Sequence, residues 1–166
     1  MKLLLIAFFT VFLYQTTKPT LSELRSCYQQ AGIKKAAAEK LNQLTALVDS
    51  GSEPVLIGYK GANEMLQAKY ILNPITKLSR FNKGKTLLQM AIKRDTTNLE
   101  IRFLRFSIQS NIPSFLNYNA EMIPDKQFLI ANTPRSKDEG LKEMIVKYFI
   151  AANTLTNTEL NNIKNE

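Results

Sequence analysis

The residue types that most often perform chemistry in proteins are scarce in this chain. Its 166 residues include no histidine and a single cysteine, Cys27. This removes the Ser-His and Cys-His nucleophile pairs and the most frequent transition-metal ligand. The fourteen Asp and Glu residues are scattered, and no phosphate-loop, calcium-loop or dinucleotide-binding motif occurs. We therefore expect a non-catalytic protein with no cofactor and no metal site, and carboxylate chemistry is the enzymatic alternative that remains.

Two arginines lie in an unusual context, the stretch from Thr97 to Phe115. Arg102 and Arg105 follow Glu100 within a run that is otherwise almost all Leu, Ile and Phe. The long apolar stems of arginine pack on aromatic neighbours while the guanidinium binds carboxylates. The sequence therefore predicts structural ion pairs here. The candidate members are Arg102, Arg105, Glu100, Glu121 and Asp125.

The same stretch predicts a helix that is apolar on two faces. On a helical wheel, one side carries Leu99, Phe103 and Phe106, and the nearly opposite side carries Ile101, Leu104 and Ile108. A strand would require period-two alternation, which Phe103-Leu104 breaks. We expect this helix to lie between two layers of the fold.

Positive charge is the other chemical feature. The 22 Lys and Arg residues against 14 Asp and Glu residues give a net charge of +8. The candidate residues for an anion-binding or partner-binding face are Lys77, Arg80, Lys83, Lys85 and Arg94. Such a face would suit anionic lipid headgroups, envelope polysaccharide or acidic proteins. The alternative is that these side chains simply solvate the outer side of one helix. No recognition-helix or RNP-type motif occurs, which disfavours nucleic acid as a partner.

The N-terminus resembles an export signal. Met1-Lys2 precedes the apolar run Leu3 to Tyr14, which is shorter than the roughly 20 residues of a spanning helix. We interpret residues 1–17 as a signal peptide and residues 20–166 as a single domain; an uncleaved membrane anchor is the alternative. The expected location is the periplasm or cell envelope, or the medium. Cys27 alone cannot form an internal disulfide.

Helix start signals recur along the chain. Four capping boxes are predicted, at Thr20-x-x-Glu23, Thr97-x-x-Glu100, Ser136-x-x-Glu139 and Thr156-x-x-Glu159. Ser52-Glu53-Pro54 and Asn73-Pro74 predict two more starts, each a cap followed by Pro in the first turn. The expected helices cover residues 21–31, 33–49, 54–72, 75–94, 98–110, 122–132, 137–153 and 158–164. The alternative for the first two is one helix that is interrupted near Gly32. The predicted fold is all-α, with antiparallel helix pairs in a short array or irregular bundle of about seven to eight helices.

Two of these helices have distinct faces. In helix 54–72, the small residues Gly58 and Gly61 predict close approach of a neighbouring helix, whereas Lys60, Asn63, Glu64 and Gln67 are expected to face water. Helix 137–153 is expected to bury Leu141, Met144, Ile145, Tyr148 and Ala152.

One passage resembles the tetratricopeptide repeat family. Gly84 to Ala91, followed by Asp95 to Asn98, is similar to the second helix and exit turn of such a repeat, with Gly84, Leu88 and Ala91 at the packing positions. The resemblance covers about 30 residues and implies a helical scaffold for protein contacts. The segment from Asn73 to Lys126 also resembles small exported all-helical bacterial proteins without an assigned role. We therefore expect an exported, non-catalytic scaffold or protein-interaction module of the bacterial cell envelope; the alternative is a binder of anionic lipid headgroups or envelope polysaccharide.

Overall fold

The computed structural model describes residues 18–164, and within this range the chain is all-α. The predicted signal peptide, residues 1–17, lies outside the described residues. The helices are α1 (Leu21–Ala31), α2 (Lys35–Leu44), α3 (Pro54–Ala68), α4 (Pro74–Arg94), α5 (Leu99–Gln109), α6 (Met122–Asn132), α7 (Glu139–Ala152) and α8 (Asn157–Lys164), with a short 3-10 helix at Ser114–Leu116. The predicted all-α fold of seven to eight helices is confirmed. The predicted interruption near Gly32 is a turn that separates α1 from α2.

The helix starts follow local side-chain chemistry. The capping boxes at Thr20 and Thr156 are confirmed, because each hydroxyl accepts from the amide of the glutamate three residues later and that glutamate bonds back. Asn73 caps α4, and its side chain accepts from two amides ahead of it. These contacts satisfy amides that have no partner within the helix.

The other two capping boxes were predicted wrongly. α5 is capped by Asn98, whose side chain accepts from Ile101 N, and α7 is capped by Asp138, which accepts from Leu141 N. Asn98 and Asp138 each lie between the predicted cap residue and its glutamate. α5 and α7 therefore begin one and two residues later than predicted. Glu100 is thereby released from the capping role and turns towards the interior.

α5 is the central helix of the bundle and separates two apolar clusters. Ile101, Leu104 and Ile108 belong to the cluster formed with α1 to α4. Phe103 and Phe106 belong to the cluster formed with α6, α7 and α8. The predicted position of α5 between two layers is therefore confirmed, since its opposite faces serve different cores.

The α3–α4 hairpin depends on two facing glycines. A Cβ on Gly61 would lie 2.9 Å from the Gly84 carbonyl oxygen, and a Cβ on Gly84 would lie 2.5 Å from the Gly61 carbonyl oxygen. Backbones this close leave no room for a side chain. The predicted close approach of a neighbouring helix is confirmed at Gly61, and α4 is that neighbour.

Two predicted helix faces need correction. Asn63 and Glu64 in α3 are buried, at 1% and 5% exposure, because α2 covers the former and the α4 side chains cover the latter. In α7, Leu141, Met144 and Ile145 are buried as predicted, but Ala152 is exposed. Ala152 is the last residue of α7, where the helix has already left the core.

Candidate functional site

The predicted arginine pair meets at Asp125 on α6. Arg105 donates from Nε and Nη2 to the two oxygens of Asp125 at 2.6 and 2.8 Å, and Arg102 donates from Nη1 at 2.9 Å. Asp125 is fully buried, and Arg105 is 4% exposed. Glu121 lies 3.9 Å from Arg105 and is half exposed, so it is a secondary partner. This cluster joins α5 to α6.

Glu100 does not pair with either of these arginines. Its carboxylate instead accepts from Nε and Nη2 of Arg25 at 2.8 and 2.7 Å, and from the Tyr59 hydroxyl at 2.5 Å. Arg25 and Tyr59 come from α1 and α3, so the prediction that paired Glu100 with Arg102 or Arg105 is wrong. The side chain of Glu100 points away from α6 because its position on the wheel faces the other core.

Arg25 uses both edges of its guanidinium. In addition to Glu100, it donates from Nη1 and Nη2 to Asp138 at 2.9 and 2.7 Å. Hydrogen bonding to Glu100 outweighs the opposing effect of burial and raises the pKa of Arg25 above its ordinary value. Burial, reinforced by the charge of Glu100, raises the pKa of the Tyr59 hydroxyl, which therefore remains a donor. This network holds α1, α3, α5 and α7 together, and its four hydrogen bonds occupy four of the five N–H donors of Arg25.

The predicted basic face is divided among several environments. Arg80 and Lys83 both pair with the buried carboxylate of Glu64, at 2.9 and 2.7 Å. Lys85 stacks over the ring of Tyr118, with Nζ 5.1 Å from its centroid. Arg94 lies at the far end of α4 and donates to the Ser50 carbonyl. Lys77 is exposed near the start of α4. Four of the five residues therefore already contact other groups of the protein, and the binding face stays a prediction.

A different group of lysines lies on the neighbouring segments at one end of the α3–α4 hairpin, which we call the basic end. It comprises the exposed lysines Lys34, Lys35, Lys69 and Lys77 and the exposed apolar residues Ile33, Leu72 and Ile75. The apolar side chains are 79%, 99% and 80% exposed, respectively. These residues come from the α1–α2 turn, the α3–α4 connection and the first turn of α4.

Two hydrogen bonds bring the two turns together. Lys69 Nζ donates to the Gly32 carbonyl at 2.5 Å, and the Tyr70 hydroxyl donates to the Ala31 carbonyl at 2.7 Å. The carbonyls at the end of α1 have no partner within the helix, so these donors satisfy them. The α3–α4 connection is thereby fixed beside the α1–α2 turn.

The opposite end of the α3–α4 hairpin has a different character. Arg94 bonds to Ser50 there, and Lys18 pairs with Glu53. Leu47 is 80% exposed at this end, in the loop that also carries Asp49. α4 has 21 residues, so its helical rise places the two ends about 30 Å apart. The opposite end therefore carries one strongly exposed apolar side chain beside the acids Asp49 and Glu53, whereas the basic end carries three such side chains and four exposed lysines.

Two surface clefts of the described chain each contain one carboxylate. A shallow cleft of about 290 Å³ between α1 and α7 contains one carboxylate, Glu143, and Arg25, which already donates four hydrogen bonds to Glu100 and Asp138. A second, of about 410 Å³, lies beside α4 and contains Glu64, which is already paired with two cations. Within residues 18–164, no group of three or more acids or cysteine forms a potential metal site. No helix of the described chain is long and apolar enough to cross a membrane.

Sequence reasoning missed Arg25, Tyr59 and three lysines of the basic end, namely Lys34, Lys35 and Lys69. The signal for the lysines was present, because residues 65–94 contain no Asp or Glu and an isolated apolar residue, Ile33, precedes two lysines at a helix break. Nothing local marks Arg25, whose main partner is 75 residues away. Comparison with known proteins adds no further assignment: no protein-family model, curated protein or solved structure matches this chain.

Proposed function

We propose that this protein is an exported, non-catalytic helical module of the bacterial cell envelope that binds anionic surfaces through its basic end. The observation that carries the proposal is that Lys34, Lys35, Lys69 and Lys77 are all exposed on neighbouring segments, which the bonds from Lys69 to Gly32 and from Tyr70 to Ala31 join. A cluster of exposed cations raises the local concentration of anions and speeds their association. The module would be held at the envelope by this attraction.

The charges of this surface are weakly compensated. The acid nearest in sequence is Glu39, which lies 3.6 Å from Lys35 in an exposed pair. Farther along α4, Glu64 neutralises one of the two charges of Arg80 and Lys83, so this pair still adds one positive charge. Exposed charges act over a screening length of about 8 Å at physiological ionic strength, so the clustered lysines act together on an approaching anion.

The ion pairs made by the buried carboxylates support a non-catalytic role. The buried carboxylates Glu100 and Asp125 are each held by arginine, and these bonds join helices. General acid–base chemistry needs an acid and a base that converge on a substrate. Each described cleft carries one carboxylate. The charge of this protein is therefore best explained by architecture in the interior and by attraction at the basic end.

A second candidate function is a scaffold for another protein. It is favoured by exposed apolar side chains outside the basic end, namely Phe115, Ile123 and Ile150, at 77%, 65% and 51% exposure. Such side chains suit the apolar centre of a protein interface. Binding that is independent of the lysines of the basic end would favour this candidate.

The test compares two variants of equal net charge. The first carries Lys34→Gln, Lys35→Gln, Lys69→Gln and Lys77→Gln. The matched control carries Lys40→Gln, Lys93→Gln, Lys137→Gln and Lys164→Gln, which are four exposed lysines at other positions. Residues 1–17 are common to all the proteins, so a difference between variants reports on the position of the charge.

Binding of the full chain to vesicles of phosphatidylglycerol and phosphatidylcholine, and to immobilised heparin, would be measured at low and high ionic strength. We expect the basic-end variant to lose binding to the anionic surfaces and the control to retain most of it. Binding by the parent should fall steeply with salt, since exposed charges are screened. Equal loss in the two variants would show that only net charge matters and would refute the proposed site.

A further inference from the structure

We infer that the partner of the basic end is an anionic phospholipid bilayer, into whose interface Ile33, Leu72 and Ile75 insert while the surrounding lysines bind the headgroups. The inference rests on the proposed function and specifies its partner. The feature that carries it is that the three most exposed apolar side chains of this region lie on the same joined segments as four exposed lysines.

The start of α4 is unusually open. Residues 74–79 are all exposed, and the helix first becomes buried at Phe81. Leu72 and Ile75 are 99% and 80% exposed, and Leu78, one turn further, is 51% exposed. The α3–α4 connection and the first turns of α4 therefore form a projecting tip. Ile33 lies on the neighbouring α1–α2 turn, which is attached to this tip through Lys69.

The chemistry of the tip matches a bilayer interface. A peripheral membrane segment carries apolar side chains that enter the headgroup and acyl boundary, together with lysines and arginines that attract anionic lipid. Lys77 lies between Ile75 and Leu78 in sequence, and Lys34 and Lys35 directly follow Ile33. The flexible stems of these lysines allow the ammonium groups to reach headgroups while the apolar residues go deeper.

Other occupants satisfy only part of this pattern. A soluble polysaccharide or polyphosphate would bind the lysines and leave Leu72 and Ile75 in water. A second copy of the chain related by a two-fold axis would place the same lysines opposite one another, which repels. A groove of another protein would suit a continuous apolar helix stripe, whereas these side chains come from separate segments. A fluid anionic surface accommodates all of them at once.

The chain contains no tryptophan, so a single introduced tryptophan is a site-specific probe. Leu72→Trp would report at the tip, and Leu47→Trp, at a position that is 80% exposed in the α2–α3 loop, would be the matched control. With phosphatidylglycerol vesicles, we expect a blue-shifted emission and quenching by brominated lipid for Leu72→Trp only. With heparin, neither probe should shift.

A second pair of variants tests the energetic role of the tip. Leu72→Ser with Ile75→Ser should lower the vesicle partition coefficient by roughly tenfold or more, since each side chain loses its transfer into an apolar phase. Leu47→Ser should leave the coefficient unchanged. All of these positions are exposed, so the core is untouched.

The outcomes separate this inference from the proposed function. If the parent binds neither vesicles nor heparin at low salt, the proposed function itself is overturned. If the parent binds vesicles but Leu72→Trp shows no shift and the double serine variant binds as the parent does, the charge-based function stands and bilayer insertion is overturned. A concentration-dependent dimer that the double serine variant abolishes would identify a second copy as the occupant and would also overturn insertion.

Discussion

The interior arginines and the lysines of the basic end are all positively charged, but the arginines are buried in ion pairs and the lysines are exposed to water. Arg25 and Arg105 are 8% and 4% exposed, and each is bound bidentately by a carboxylate. Lys34 and Lys77, by contrast, lie in water on turns and at a helix start. A buried cation is costly unless its partners are fixed, whereas an exposed cation is free to attract a partner from solution. The comparison separates positive charge that joins helices from positive charge that is available for the proposed binding of an anionic surface.

The largest expected effect comes from removing a buried carboxylate. Asp125→Asn leaves Arg105 buried without its ionic partner, and we expect a loss of about 3 to 5 kcal/mol in the free energy of unfolding. The matched control is Glu143→Gln, which removes an exposed carboxylate paired with Lys147 and should cost about 0.5 kcal/mol or less. Urea midpoints with unchanged slopes would measure both. Similar losses of unfolding free energy in Asp125→Asn and Glu143→Gln would show that the buried ion pair stabilises the fold no more than an exposed one.

The Asp125 cluster also shows which contacts were accessible to sequence reasoning. The pairing of Arg102 and Arg105 with Asp125 was among the predicted alternatives. Both arginines lie within an otherwise apolar helix, where a guanidinium needs a carboxylate partner nearby. Glu100 was misassigned because a capping box is a local pattern, whereas its actual partner, Arg25, depends on how α1 crosses α5. Hydrophobic periodicity and capping motifs predict where helices lie. Contacts between residues far apart in the sequence can be predicted only when the packing of the helices is known.

A smaller effect is expected where backbones meet. Gly84→Ala would press a methyl group against the Gly61 carbonyl, and overpacking of this kind costs roughly 1 to 3 kcal/mol. Gly32→Ala is the control, because an added Cβ there meets no atom within 4 Å. The prediction bears on the comparison of interior and surface charge, because the packing of α4 on α3 positions Leu72 and Lys77 at the basic end. Thermal unfolding would measure it, and equal melting temperatures for the two variants would contradict it.

The effect of acid should be smaller still. The hydrogen bonds from Arg25 lower the pKa of Asp138 below its ordinary value of 3.8. Because the folded pKa is depressed, this group contributes stability above the unfolded value, and the contribution is lost as the pH falls from about 4 through the folded pKa. The side chain is 46% exposed, so solvent screening keeps the effect to about 1 kcal/mol or less.

Asp138→Asn isolates this contribution. Asparagine also accepts a hydrogen bond at a helix N-cap, so the cap on Leu141 N is retained. The pKa values of Glu23, Asp49 and Glu159 are lowered as well, and these groups are unchanged in the variant. We expect the variant to lose stability less steeply than the parent on acidification. Parallel curves of unfolding free energy against pH would show that Asp138 contributes nothing through its charge.

The basic end marks the limit of prediction from a single sequence. The surplus of basic residues between Lys77 and Arg105 drew attention to α4. Four of the five residues chosen there are nevertheless engaged within the fold or lie at the far end of the helix. The lysines of the basic end are separated by up to 43 positions, from Lys34 to Lys77. They lie on neighbouring segments because the α1–α2 turn and the α3–α4 connection are side by side. This arrangement results from helix packing, which cannot be predicted from amino-acid composition.

The smallest expected effect on stability belongs to the lysines of the basic end. Lys34 bonds to Gln30, Lys35 pairs loosely with Glu39, and Lys69 bonds to a backbone carbonyl, all at the surface. Exposed contacts of this type contribute between 0 and about 1 kcal/mol each, and removing like charges from one surface relieves repulsion. The fourfold Lys→Gln variant at Lys34, Lys35, Lys69 and Lys77 should therefore unfold within about 1 kcal/mol of the parent. Guanidinium midpoints, measured beside vesicle binding on the same preparations, would test this. A variant with native stability and lost binding would establish the separation between the two roles of charge, and a loss of stability as large as that of Asp125→Asn would show that these lysines are architectural after all.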